Sequence, residues 1–159
     1  SNDYLFNWEW TQMEQTASRL IRNANSWYEH TYVYDGFTNK GEVLGSSIGP
    51  GSNSHYISIN RIKPTEKIGL GIEIIDQDND FYHSAFASAL DFRRYWKDFN
   101  LHLNYKKRFK HFNISSNLVY IRSLNYQWEL DDYAQPYYHP GRDVNNFHFS
   151  LKLTYFGSW

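Results

Sequence analysis

Seven histidines and several groups of acids are the residues of this chain with the most obvious chemistry. His30, His55, His83, His102, His111, His139 and His148 never fall at a close ligand spacing such as His-x-x-x-His, so no metal site is predicted. Paired carboxylates for hydrolysis exist on composition, as Asp131 with Asp132 or as Asp76, Asp78 and Asp80, but acids adjacent on polar loops are usually solvated. Ser26, His30 and Asp35 lie close in sequence without a pattern that makes them converge on a nucleophile. The run from Gly45 to Gly51 has the glycines of an anion-binding nest, yet no Lys-Ser/Thr pair follows, and it reads as a turn. No catalytic residue and no cofactor is therefore predicted. The remaining candidates are ring-rich: Tyr28, His30, Tyr32, Tyr34 and Asp35, then Tyr137, Tyr138 and His139. Aromatic faces stack on the apolar faces of sugar rings while amides and carboxylates bond to hydroxyls, so these are candidate glycan contacts. The plainer alternative makes them girdle or loop-packing rings.

The segments that must position these loops have a period of two. From Asn146 to Trp159 one side reads Phe147, Phe149, Leu151, Leu153, Tyr155, Gly157 and Trp159, and the other Asn146, His148, Ser150, Lys152, Thr154, Phe156 and Ser158. That is the strand period, and an aromatic outer face with a polar inner face suits a strand of an outer-membrane β-barrel. Phe99 to Lys106, Phe112 to Leu130, Ile68 to Ile74 and Tyr4 to Thr11 repeat it, and His55 to Ile62 does so more weakly. Two further segments, Trp27 to Tyr34 and Ser84 to Arg93, would raise the count from six strands to eight. His83 to Lys97 accepts a helix equally well, with Phe86, Ala89, Leu90 and Arg93 on one side; Thr16 to Ala24 is similarly ambiguous.

Composition agrees with strands that have a greasy and a wet face. Aromatics make up 19% of the 159 residues, yet the mean hydropathy is −0.71, so rings are interleaved with polar residues. No stretch approaches the ~18 to 20 apolar residues of a transmembrane helix. With 16 basic and 17 acidic residues the chain lacks the charge of a nucleic-acid groove. The absence of Cys removes disulfides and thiolate chemistry.

Connections alternate strictly in length. Residues 63–66 and 107–110 are tight polar turns, whereas about 11–53, 76–96 and 131–143 are long. Outer-membrane barrels have short periplasmic turns and long outside loops. The fold expected is thus all-β: one antiparallel transmembrane outer-membrane β-barrel segment spanning 1–159. Fewer than about eight strands would leave open edges in hydrocarbon, so the chain is expected to supply the C-terminal six to eight strands of a larger barrel. Arg122 falls on the outward register, where a midplane charge costs roughly 2 to 4 kcal/mol; a strand entering at Phe112 crosses in ~9 to 11 residues and places it at the headgroups. Tyr126 and Trp128 would extend the strand above them. The inward ladder includes Glu73, His102, Lys106, Gln127, Glu129, His148 and Lys152, with acids and bases able to pair across strands and His102 able to meet His148.

The loop from Trp27 to Ser52 adds a resemblance. Its aromatic run with a central His (Tyr28, His30, Tyr32), its Gly36-Phe37-Thr38 followed by Gly41, and its Leu44-Gly45 leading to Gly49-Pro50 resemble the capsule assembly Wzi family in the form found in Bacteroidetes-like bacteria. Arg93-Arg94-Tyr95-Trp96 and the aromatic C-terminus are in keeping. The resemblance covers the C-terminal third or so of that family, without its periplasmic helical part. It implies a non-enzymatic protein of the bacterial outer membrane acting in surface attachment or assembly of capsular polysaccharide or exopolysaccharide. Outer-membrane lipid, surface polysaccharide and the missing N-terminal barrel portion or other outer-membrane subunits would be its partners. A pore or scaffold subunit whose loops bind protein is the alternative function, and a soluble β-sandwich the alternative fold.

Overall fold

Alternation of large apolar with small polar residues favours extended backbone wherever it persists for ten or more positions, because each face then meets one kind of surroundings. A computed structural model describes residues 2–15, 38–40, 42–130 and 141–157, and there the pattern becomes strands β1 (Asp3–Gln12), β4 (Asn53–Lys63), β5 (Glu66–Asp76), β6 (Lys97–Arg108), β7 (Phe112–Leu124) and β8 (Val144–Tyr155). Two-residue strands β2 (Thr38–Asn39) and β3 (Glu42–Val43) form a separate small ribbon. The long strands make one antiparallel sheet in the order β1-β4-β5-β6-β7-β8. Among the described residues the fold is all-β and antiparallel, with one short α-helix, α1 (Asn79–Ala85). Among the described residues the sheet is open, with β1 and β8 at its edges.

Register lines the two faces up across all six strands. On one face Trp8, Ile57, Ile72, Leu101, Tyr120 and Phe147 form a continuous row, and Phe6, Ile59, Leu70, Leu103, Leu118 and Phe149 form the next. These apolar side chains are exposed: Trp8 is 67% accessible, Ile72 55% and Phe149 64%. On the other face the corresponding rows run Asn7, Ser58, Gly71, His102, Val119, His148 and Leu5, Asn60, Gly69, Asn104, Asn117, Ser150. Among the described residues the buried side chains are mostly polar, namely Ser52, Ser54, Ser58, Asn60, Asp98, Asn100, Ser123 and Asn125, against Ile75 and Val119.

The ends of the strands differ. At one end β4 reaches β5 through Pro64-Thr65 and β6 reaches β7 through Phe109 to His111, with the Arg108 N–H bonded to the Thr65 carbonyl at 2.8 Å. At the other end lie the long connections 13–52, 77–96 and 125–143.

Two segments depart from the expectation. Ser84 to Arg93 is not a strand, and the helix there ends earlier than its apolar side suggested. Asp78, in the left-handed region at φ 40°, accepts the Phe81 N–H at 3.0 Å and starts α1. The helix stops at Ala85, followed by a 3-10 turn over Ala87–Ala89 that Leu90 closes at φ 62°. The second departure is at the end of β7. Tyr126 and Trp128 do not prolong the strand, because Asn125 turns left-handed at φ 50° and a 3-10 turn covers Tyr126–Trp128.

Candidate functional site

The long connections are tied together by polar contacts that begin where the strands stop. Past the end of β1 the Glu14 carboxylate accepts from the side-chain amides of Asn53 and of Asn79, the latter at 3.0 Å, and the Gln15 N–H bonds to the Asp80 carboxylate at 3.0 Å. Ser52, 2% exposed, gives its carbonyl to the Met13 N–H at 2.9 Å and its hydroxyl oxygen to the Asp78 N–H at 3.0 Å. Gly51 makes this approach possible: at φ 69° a Cβ would stand 2.3 Å from the Asp78 carboxylate.

A second knot joins the 77–96 connection to the turn after β7. Asn125, 3% exposed, donates its amide to the carbonyls of Arg93 (3.2 Å) and Tyr95 (2.8 Å). Gly141 lies against the Asn125 amide, with no room for a Cβ. Trp96 stands edge-on to Tyr126 and Trp128, with ring centres 5.2 and 5.1 Å apart, and Phe81 tilts onto Trp128 at 4.6 Å. Asp98, buried beneath, accepts from Trp96 Nε1 (2.9 Å) and from Gln77 Nε2 (2.8 Å). Arg94 bonds to the Trp128 carbonyl at 3.1 Å and lies over the Phe86 ring. Hydrogen bonds from Arg93, then from Arg94, outweigh partial burial and hold the Asp91 carboxyl down to about 2. Burial, then the nearby Asp91 charge, pushes the Tyr82 phenol above its ordinary value. The result is a fixed shelf that leaves Phe81, Phe92, Tyr95 and Tyr126 partly open to solvent. Chemically it offers ring faces beside the Asp91 carboxylate and two guanidinium groups, a set suited to stacking and hydroxyl recognition. That these rings meet is not legible in the sequence, where Tyr126 and Trp128 read as an extension of a strand and Arg93-Arg94-Tyr95-Trp96 is the available signal.

The loop candidates Tyr28, His30, Tyr32, Tyr34, Asp35, Tyr137, Tyr138 and His139 lie outside the described residues. Of the inner ladder, Glu73, His102, Lys106, His148 and Lys152 share the polar face. Glu73 bonds to His102 Nε2 at 3.1 Å and to the Asn100 amide at 3.0 Å, and Tyr56 meets the His102 ring edge-on. His102 and His148 occupy one row with Val119 between them and so do not meet. Gln127 and Glu129 leave the ladder because β7 ends at Leu124; Gln127 sits in the turn at φ 56° and Glu129 pairs with Arg142 at 2.6 Å. Among the described residues no three His, Asp or Glu side chains are grouped to hold a metal ion. No helix among them is long and apolar enough to cross a membrane, which says nothing of crossing by strands. Compared with known proteins, the chain matches no family model, no curated protein and no solved structure.

Proposed function

We propose that this chain is a transmembrane segment of a bacterial outer-membrane β-barrel, non-enzymatic, that helps attach or assemble capsular polysaccharide or exopolysaccharide at the cell surface. The observation that carries the membrane part is the inverted burial: the apolar rows are exposed, and the polar face holds most of the buried side chains. In water, leaving such rows exposed forfeits roughly 25 cal/mol for every Å² of apolar area; in lipid it costs nothing. Strands of 10 to 13 residues are long enough, since a tilted crossing needs ~9 to 11. Short turns on one side and long loops on the other agree with periplasmic and outside ends. Among the described residues the edges β1 and β8 are unpaired, which in a membrane calls for further strands, because hydrocarbon does not tolerate open backbone.

The polysaccharide part is supported by the resemblance of 27–52 to the capsule assembly Wzi family and by the ring-bearing shelf at the loop end. The open edges favour a second reading, a pore or scaffold subunit whose loops bind protein. Extraction of the native protein from membranes tests the first part. A band larger than 19.1 kDa that needs detergent and shifts its gel mobility on boiling is expected, and a 19.1 kDa species soluble without detergent would refute the membrane reading. Loss of surface polysaccharide on deletion of the protein, with purified protein retaining that polysaccharide, is expected from the first reading; the second predicts no glycan affinity.

A further inference from the structure

Charge on the inner face is segregated along the strands. Glu9, Glu73 and Asp98 occupy its middle and loop end, whereas Lys67, Lys106 and Lys152 share one row near the short turns, with Arg108 one inner position closer to them. Lys67 stands directly opposite Lys106, and only Ser115 separates Lys106 from Lys152. At ~4.8 Å between neighbouring strands, the backbones of the three lysines fall within about 15 Å. Like charges directly opposite each other destabilise a sheet. Among the described residues none of these four side chains has an ion-pair partner. Glu66, next in sequence to Lys67, belongs to the opposite face, where Arg61, Lys63 and Tyr105 take it. Asp3 stands in the same row on β1, with Ile62 between it and Lys67, and has contacts of its own.

Lys152 stands across Ser115 from Lys106, and Lys67 and Lys106 line, together with Tyr56, Asn60, Asn104, Ser115 and Asn117, a polar groove of about 330 Å³. That is within the size range of small-ligand sites. Apart from the lysines its lining includes amides, hydroxyls and the Tyr56 ring, groups that bond to hydroxyls and stack on sugar faces. Ammonium groups without acids beside amides and a ring ask for one ligand that carries both carboxylates and hydroxyls.

We propose that this groove binds an acidic glycan, with carboxylates on Lys67 and Lys106, Lys152 beside them in the row, and ring hydroxyls bonding to Asn104 and Ser115. This rests on the polysaccharide reading and narrows it to carboxylated sugars. A phosphate chain would satisfy the lysines and make no use of the amide, hydroxyl and ring groups beside them.

The test is calorimetric titration of the native protein in non-ionic detergent with an oligosaccharide of galacturonic acid, a neutral galactose oligosaccharide of equal length, and inorganic polyphosphate. The uronate is expected to bind about tenfold or more tighter than the neutral sugar, tighter than polyphosphate, and less well as salt rises. A variant carrying Lys67→Gln, Lys106→Gln and Lys152→Gln should lose about tenfold or more in uronate affinity while keeping its shift of gel mobility on boiling, because the substitutions relieve opposed charges. If that variant does not fold, Lys106→Gln should weaken binding and Lys106→Arg retain it. Equal binding of neutral and acidic sugars, tighter binding of polyphosphate, or lysine substitutions without effect would overturn the inference. Equal binding of both sugars leaves the polysaccharide reading standing, whereas detergent-free solubility or the absence of all glycan binding sinks both.

Discussion

Phe149 and Ser150 are neighbours on β8, share every backbone constraint, and belong to opposite worlds: one continues a row of Phe6, Ile59, Leu70, Leu103 and Leu118, the other a row of Asn60, Asn104 and Asn117. In a sheet that folds in water the first face would be covered and the second open. Here the polar face holds most of the buried side chains and the apolar face is bare. On the proposed membrane reading, the contrast teaches that this sheet's stability is to be reckoned against two solvents, lipid on the apolar face and water or polar side chains on the other. Each face should then respond to substitution by its own rule.

The largest expected effect comes from placing one charge on each face at adjacent positions. Phe149→Arg should cost about 2 to 4 kcal/mol in unfolding from lipid vesicles, the range for a cation near the bilayer midplane, whereas Ser150→Arg should stay within about 1 kcal/mol. Urea titration of the reconstituted whole protein followed by tryptophan fluorescence measures both. Equal costs would erase the distinction between the faces and with it the membrane reading.

A medium effect is expected where the inner face is crowded. The Tyr56 ring lies across Gly71, whose added Cβ would stand 2.7 Å from the phenol oxygen, and the same ring meets His102 edge-on at 5.5 Å. Gly71→Ala should therefore displace Tyr56 and destabilise by about 1 to 3 kcal/mol, as overpacking does. In a Tyr56→Ser background the same change should cost little, and the difference between the two backgrounds is the coupling between ring and glycine. If Gly71→Ala costs the same with and without the ring, the glycine answers to the backbone and not to Tyr56.

How far the residue pattern alone reveals this molecule depends on how local each feature is. All six long strands are legible, because alternation over ten positions is written into consecutive residues, and the short turns at 63–66 and near 109 follow from Pro64-Thr65 and the polar run before Phe112. The helix at Asn79–Ala85 is not, because Phe86, Ser88, Leu90 and Phe92 also alternate and the decisive signal is one Asp78 cap among several acids. Gln127 and Glu129 continue the alternation of β7 on paper, and a single left-handed Asn125 breaks it in space. Opposition of Lys67 to Lys106 is a matter of register between strands, which no single strand records. The same holds for the shelf: Arg93, Arg94 and Trp96 are visible as a motif, but their meeting with Trp128 and Asn125 is made by two distant turns.

The smallest effect belongs to the loop end, where ion pairs meet bulk water and the contrast between faces fades. Asp91 holds Arg93 at 2.7 Å and Arg94 at 3.2 Å, and all three side chains are partly exposed. Its carboxyl is lowered from 3.8 to about 2 by these partners, so the contact contributes fully above the ordinary carboxylate value and is lost as pH falls from about 3.8 through 2. Exposed pairs are worth about 0 to 1 kcal/mol, so Asp91→Asn should leave the unfolding of the six-stranded sheet unchanged. What it should alter is local: nicking of the 77–96 connection by pepsin should be faster in the D91N variant than in the wild type at pH near 4, and the two should converge as the pH approaches 2. Nicking rates that differ as much at pH 2 as at pH 4 would mean that Asp91 acts through something other than its charge.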